Sequence, residues 1–219
     1  MTFSPADHLG AAERSLHTVT REGTELRMLT VHRTYAAAPD EVWHALTTPE
    51  RLARWFAPVT GDLRVGGRYQ VEGNAGGQVL VCREPELLSL TWEMPEGHSW
   101  VDVTLRPVAA GTLLQLDHSA DPAGFAEFDA TYGPGATGLG WELGLMGMAE
   151  HLAAPEAPRP TEAELVTMPG LTELMREAAD GWAAAAVAWG TPEEQARAAA
   201  DRTFAFYTGA GTEHDPGDA

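Results

Sequence analysis

The stretch GPGATGLGWELGLMGMAEHL, residues 133–152, holds six glycines in twenty residues and still carries a helical pattern. Trp141, Leu145, Met148 and Leu152 recur at i, i+4, i+7 and i+11, an apolar stripe of helical period over a helix read at 136–152. Gly140, Gly144 and Gly147 form the adjacent stripe. Each interior glycine costs a helix roughly 0.5–1 kcal/mol relative to alanine, so the stripe calls for a compensating close contact. A side-chain-free strip lets a helix axis approach neighbouring backbone closely. The expectation is a helix seated against a bent β-surface, with its bulkier stripe framing a hollow.

The preceding sequence supplies such a surface. TELRMLTVHRTY, from Thr24, alternates as a first strand. Pro39 opens a short helix in PDEVWHALT, and Thr48-Pro49 opens a second in ERLARWF, which Pro58 stops. Six strands follow: DLRV, RYQVEG, QVLVCRE, LLSLTWEM, SWVDVTLRPV and TLLQLDHSA, separated by glycine- and proline-bearing turns. Strand, two helices, six strands and a long helix make an α+β antiparallel meander whose concave face needs one helical cover.

Residues 1–23 are weakly patterned and read as an N-terminal arm, 24–154 as the sheet-and-helix domain, 155–208 as a helical C-terminal extension, and 209–219 as a flexible tail. The PEAPRP segment is the linker. Thr161–Glu164 and Thr191–Glu194 both read as capping boxes, the second starting a helix with Ala196, Ala200, Phe204 and Tyr207 on its apolar side.

Composition narrows the function. The net charge is −18, and the fourteen basic residues are all arginine. That acidity argues against nucleic acid and anionic membrane as partners. The missing lysine excludes Schiff-base chemistry and a Walker-type phosphate loop. Cys82 is the only cysteine, so no internal disulfide forms, and with no signal-like leader a cytoplasmic setting is expected. WAAAAVAW, residues 182–189, is too short to span a bilayer. The histidines show no metal-binding spacing and the serines no G-x-S-x-G, so neither a metal site nor a hydrolase-type nucleophile is expected; the glycine pairs VGGR and AGGQ make no G-x-G-x-x-G, and no cofactor is expected.

TYAAAPDEVWHALTTPERLARWFAPVTGDLRVGGRYQVEGNAGG, together with LTWE, SWVDVTL and GPGATGLGWELGL, resembles the START-like (SRPBCC) superfamily. The branch it resembles is named after the activators of the heat-shock protein 90 ATPase, here in an actinobacterial-looking form. The likeness runs from about Thr24 to Leu152, and DGWAAAAVAWG and RTFAFYTG resemble the tail often seen in this subgroup. It implies the helix-grip fold: a curved antiparallel sheet wrapped around a long C-terminal helix, with a pocket between. It says little about activity, because the superfamily includes lipid carriers, receptors, cyclases and co-chaperones.

The candidate pocket residues are Trp55, Phe56, Trp92, His118, Trp141, Glu142 and Leu145. Trp141 reads as an aromatic wall or core filler, and Glu142 as a carboxylate at the pocket mouth or the partner of a strand arginine. His118 is in phase with Leu114 and Leu116, so it shares their face, as a polar anchor, a general base or a hydrogen-bonded core residue. Trp92 shares a face with Leu88 and Leu90. Trp55 and Phe56 read as a lid or as core. Cys82 reads as a buried, inert thiol.

Three functions fit. One is a carrier holding a small apolar or aromatic molecule. Another is a cyclase- or dehydratase-like enzyme pairing His118 with Glu142 or Asp102, which requires two polar groups to converge. The third is an interaction role beside a chaperone or regulator, in which Trp182, Trp189, Phe204 and Tyr207 of the tail either form a homodimer interface or fold back on the same chain.

Overall fold

A computed structural model describes residues 4–95, 97–165 and 167–210. The tail read at 209–219 lies outside these described residues from 211 onward. After a 3-10 turn at Pro5–His8 come β1 (Ala12–Arg21), β2 (Thr24–Tyr35), α1 (Pro39–Thr47) and α2 (Pro49–Trp55). The meander runs through β3 (Val59–Gly61), β4 (Arg68–Val71), β5 (Gly76–Arg83), β6 (Leu87–Met94), β7 (Gly97–Val108) and β8 (Gly111–Ala120). A 3-10 turn at Pro122–Phe125 leads to α3 (Ala126–Tyr132), α4 (Gly135–Ala153), α5 (Glu162–Leu165), α6 (Leu171–Trp189) and α7 (Glu193–Thr208).

The eight strands form one sheet in the order β1-β2-β8-β7-β6-β5-β4-β3, every neighbouring pair antiparallel. Alternation decides the inner face. On β8, Leu114, Leu116 and His118 point inward, opposite Arg33, Val31 and Leu29 of β2. Across β7 they meet Leu105, Val103 and Val101. Leu145 and Met148 of α4 pack into this layer, which makes the helix-grip core. The Tyr35 hydroxyl donates to the carbonyl of Leu145 at 3.0 Å and pins the helix to β2.

Residues 12–21, read as part of an arm, are a full strand paired with β2 along its length. The turn at Glu22-Gly23 has positive φ at both residues, as a two-residue hairpin requires. The strand is hard to see in sequence because Arg14 faces inward and breaks the polar-apolar alternation. The DLRV segment is a turn region; the strand lies just before it, at Val59–Gly61. The first capping box forms, with Glu164 accepting from the Thr161 backbone at 2.8 Å. The second does not: α7 starts after Pro192 with no side-chain cap. The Thr191 N–H closes the preceding helix on the carbonyl of Ala186 at 2.9 Å, beyond the left-handed Gly190.

The glycine stripe of α4 contacts helices, not the sheet. A Cβ on Gly147 would stand 2.9 Å from the Trp55 carbonyl oxygen of α2, and one on Gly140 2.7 Å from the Tyr207 hydroxyl of α7. The tightest approach is at Gly138, where a Cβ would fall 2.1 Å from the Trp182 ring of α6. The bare side of α4 therefore admits α2 and the C-terminal extension, while its bulky side faces the strands. The extension packs on its own chain: Trp182 is fully buried, and α6 lies against α4 and β1.

Candidate functional site

Between α4, α2 and the distal half of the sheet lies a cavity of about 140 Å³. Trp141 and Leu145 reach it from α4, Trp92 from β6, and Trp55 and Phe56 from the end of α2. The local sequence explains each placement. Pro49 starts α2, whose short run ends at Trp55 and leaves Phe56 turned over the space. Trp92 follows Leu88 and Leu90 along the inward side of β6, and all three line the cavity.

The aromatic rings form a continuous wall. Phe56 stacks on Trp141 at 6.3 Å between centroids and an interplanar angle of 13°. Trp92 meets Trp141 edge to face at 5.0 Å, a geometry favoured by the ring quadrupoles. Trp55 is anchored by its indole N–H, which donates to the Ala45 carbonyl at 2.9 Å. Tyr69, not among the sequence candidates, also lines the cavity and packs against Trp92 at 6.4 Å. Its hydroxyl donates to the Thr91 carbonyl at 2.6 Å, and burial pushes its phenol upward. The alternation of Tyr69 and Val71 on β4 was the available signal, since both side chains point inward.

His118 stands behind this wall. The Trp141 indole N–H donates to His118 Nδ1 at 2.9 Å, so Nδ1 accepts and the ring proton sits on Nε2. Nε2 then donates to Ser99 Oγ at 2.7 Å, and Ser99 donates on to the Trp92 carbonyl at 3.1 Å. Burial, helped by the nearby charge of Arg27, lowers the imidazole to about 4, so it is neutral at ordinary pH. Both ring nitrogens serve the two tryptophans. His118 holds the wall in place and is not part of the cavity lining.

Glu142 does not reach the cavity. One residue past Trp141 on α4, its side chain leaves on the other side of the helix, where it takes two hydrogen bonds from Arg14 of β1 at 2.7 and 2.6 Å. The Trp182 indole N–H adds a third at 2.7 Å, and Glu177 of α6 meets Arg14 at 3.2 Å. Burial alone would lower the Arg14 guanidinium, but the bonds and charges of Glu142 and Glu177 outweigh it and raise it. Of the two readings of Glu142, the structure carries the strand-arginine pair. Asp102 lies on the outer face of the sheet, bonded by the Ser89 hydroxyl and paired with Arg21 at 3.6 Å.

Cys82 is exposed rather than buried. β4 covers only Gly76–Gln78 of β5, and a register shift between Val79 and Val81 carries the end of β5 past that cover. The thiol still borders the cavity. Among the described residues, no group of histidine, cysteine, aspartate or glutamate could hold a metal ion, and no helix is long and apolar enough to cross a membrane.

The chain is similar to CalU16 from Micromonospora echinospora. Against its crystal structure the identity is 31%, covering 80% of this chain and 98% of that one, with a TM-score of 0.63. Against its solution NMR structure the figures are 32%, 83% and 97%, with a TM-score of 0.65. Protein MLL2253 from Mesorhizobium loti shares the fold at a TM-score of 0.51 and 24% identity, over 60% of this chain and 99% of that one. Among curated proteins none matches. The model of one family matches residues 36–153, from the segment before α1 to the last residue of α4. With that match spanning the strands, short helices and gripping helix that enclose the cavity, the chain belongs to the family of activator of Hsp90 ATPase homolog 1-like proteins.

Proposed function

We propose that this protein binds a small apolar or aromatic molecule in the grip cavity without transforming it. The observation that carries the reading is the lining: aromatic and aliphatic side chains surround the space, while His118 and Glu142 are committed elsewhere. Dry apolar cavities of roughly 150 Å³ hold a benzene-sized guest. A volume of about 140 Å³ therefore favours a single ring. Trp141 and Trp92 would give it a face and an edge to pack on.

A cyclase-like reaction would need an acid and a base converging on the guest. His118 has no free nitrogen, and Glu142 and Asp102 lie beyond the cavity on different sides. The carrier reading is the better supported.

The test is a thermal-shift titration with toluene and indole. Binding to the native state alone raises stability by RT ln(1 + [L]/Kd), so the wild type melts at a higher temperature as either probe is added. Gly144 borders the cavity, and a Cβ there would meet nothing closer than 3.8 Å, so Gly144→Leu fills the space without a backbone clash. This variant is expected to lose the shift. No shift in the wild type, or an equal shift in Gly144→Leu, overturns the proposal.

A further inference from the structure

One wall of the grip cavity is held more lightly than the rest. The α2 helix contributes Leu52 and Trp55 to the lining and sets Phe56 beside them. Of its seven residues only Leu52 is buried. Much of its attachment is polar. Arg51 donates from Nε to Nε2 of His151, in the last turn of α4, at 2.9 Å. Its Nη2 meets Glu41 Oε1 of α1 at 2.7 Å. Arg54 donates to the Pro155 carbonyl at 2.9 Å and faces Glu156 at 3.4 Å, both just past the end of α4. The two arginines strap α2 to the end of the gripping helix while Trp55 and Phe56 close the cavity.

The central link tolerates one protonation state. Nε2 of His151 accepts from Arg51, so in the closed arrangement the ring proton sits on Nδ1. Nδ1 is shut off from solvent and has no hydrogen-bond partner. The imidazole is therefore held by a single bond, as acceptor. A proton added at Nε2 removes the lone pair that Arg51 uses and sets an N–H against a guanidinium N–H, cation against cation. The charged groups around the ring are Arg51 and Arg54 of α2, Glu41 of α1 and Glu156 beyond α4. Burial first, then the two arginines, outweigh the two glutamates and lower the imidazole below its ordinary value. The proton is thus taken up more readily when α2 stands away, and acid favours that state.

We propose that protonation of His151 breaks the Arg51 link, lets α2 swing from α4 and opens the grip cavity, so that a guest held at neutral pH is released in acid. The gating role rests on the reading of that cavity as a carrier site, whereas the movement of α2 does not. The Trp55 indole bond to the Ala45 carbonyl is independent of His151 and keeps α2 attached to α1.

The test is amide hydrogen exchange of the guest-free, full-length protein at pH 7.5 and 5.5, corrected for the intrinsic pH dependence of exchange. With His151 near its ordinary 6.5 in the open state, the opening equilibrium shifts by up to about tenfold over this range. Protection of residues 50–56 is expected to fall at least threefold while the β8 amides hold theirs. His151→Gln offers Arg51 a carbonyl in place of Nε2 and takes up no proton, so its protection should be the same at both pH values. Arg51→Gln removes the cation and should lower protection at both pH values with no further fall in acid. Equal protection of the wild type at the two pH values overturns the proposal, as does an equal fall across β8 or an acid fall of the same size in either variant. Toluene release from the wild type, read by NMR exchange, should quicken at least threefold at pH 5.5 and stay constant in His151→Gln. No toluene binding at either pH overturns the carrier reading and the gating role with it, while the exchange of α2 still decides the movement.

Discussion

The Trp141 indole donates its N–H to His118 Nδ1 at 2.9 Å, which couples the aromatic wall of the grip cavity to a buried histidine on β8. That contact makes the wall rigid: His118 sits between Trp141 and Ser99, and Ser99 in turn holds the backbone of Trp92. Replacing Trp141 with Phe keeps a ring at the wall but strips the donor and leaves Nδ1 buried without a partner. The expected loss is about 1–3 kcal/mol of stability, read by urea denaturation. Toluene binding should survive. A variant as stable as the wild type would mean that the contact adds nothing.

The same histidine makes stability depend on pH. Unfolded, its imidazole takes a proton near 6.5, while folded it resists until about 4 because burial, then Arg27, disfavours the cation. As pH falls, the unfolded chain binds this proton first, so stability is full above 6.5 and declines toward 4. By pH 4.5 the contribution lost is on the order of a few kcal/mol. Urea midpoints of wild type and His118→Gln, measured from pH 7 to 4.5, should converge as pH falls. Parallel curves would remove His118 as the source.

Glu142 is expected to matter for folding and not for binding. It joins β1, α4 and α6 through Arg14 and Trp182, and its side chain is 7% exposed against 10% for Arg14. Glu142→Ala leaves the arginine with the longer contacts to Glu177 and the Ala12 carbonyl, and the Trp182 indole with no acceptor. Breaking one side of a buried pair costs about 3–5 kcal/mol, which chemical denaturation would register. The affinity for toluene, measured below the transition, should be unchanged; a selective loss of binding would return Glu142 to the site.

Two glycines of α4 should respond in opposite directions. Gly138→Ala drives a methyl group into the Trp182 ring, 2.1 Å away, and should destabilise by about 1–3 kcal/mol or more. Gly144→Ala places its methyl at ordinary contact, 3.8 Å from Phe56, and should stabilise by roughly 0.5–1 kcal/mol through helix propensity. Melting temperatures of the two variants compare the effects directly, and equal changes would deny the close approach of α6.

What the sequence determined by itself was local. Alternation put Leu114, Leu116 and His118 on one face, proline positions opened α1 and α2, and the 3.6-residue period of Trp141, Leu145 and Met148 made α4 a gripping helix. Five pocket candidates, Trp55, Phe56, Trp92, Trp141 and Leu145, followed from those periods and line the cavity. Which partner each remaining residue meets was decided only by tertiary structure. Arg14 hid β1 because its charge is neutralised by a carboxylate 128 residues away. Glu142 turned from the cavity, Cys82 emerged where β4 ran short, and the glycines met helices in place of strands. Periodicity within an element tells which side chains share a face. Only the packing of distant elements sets what that face touches, because such contacts join residues whose spacing along the chain carries no regular signal.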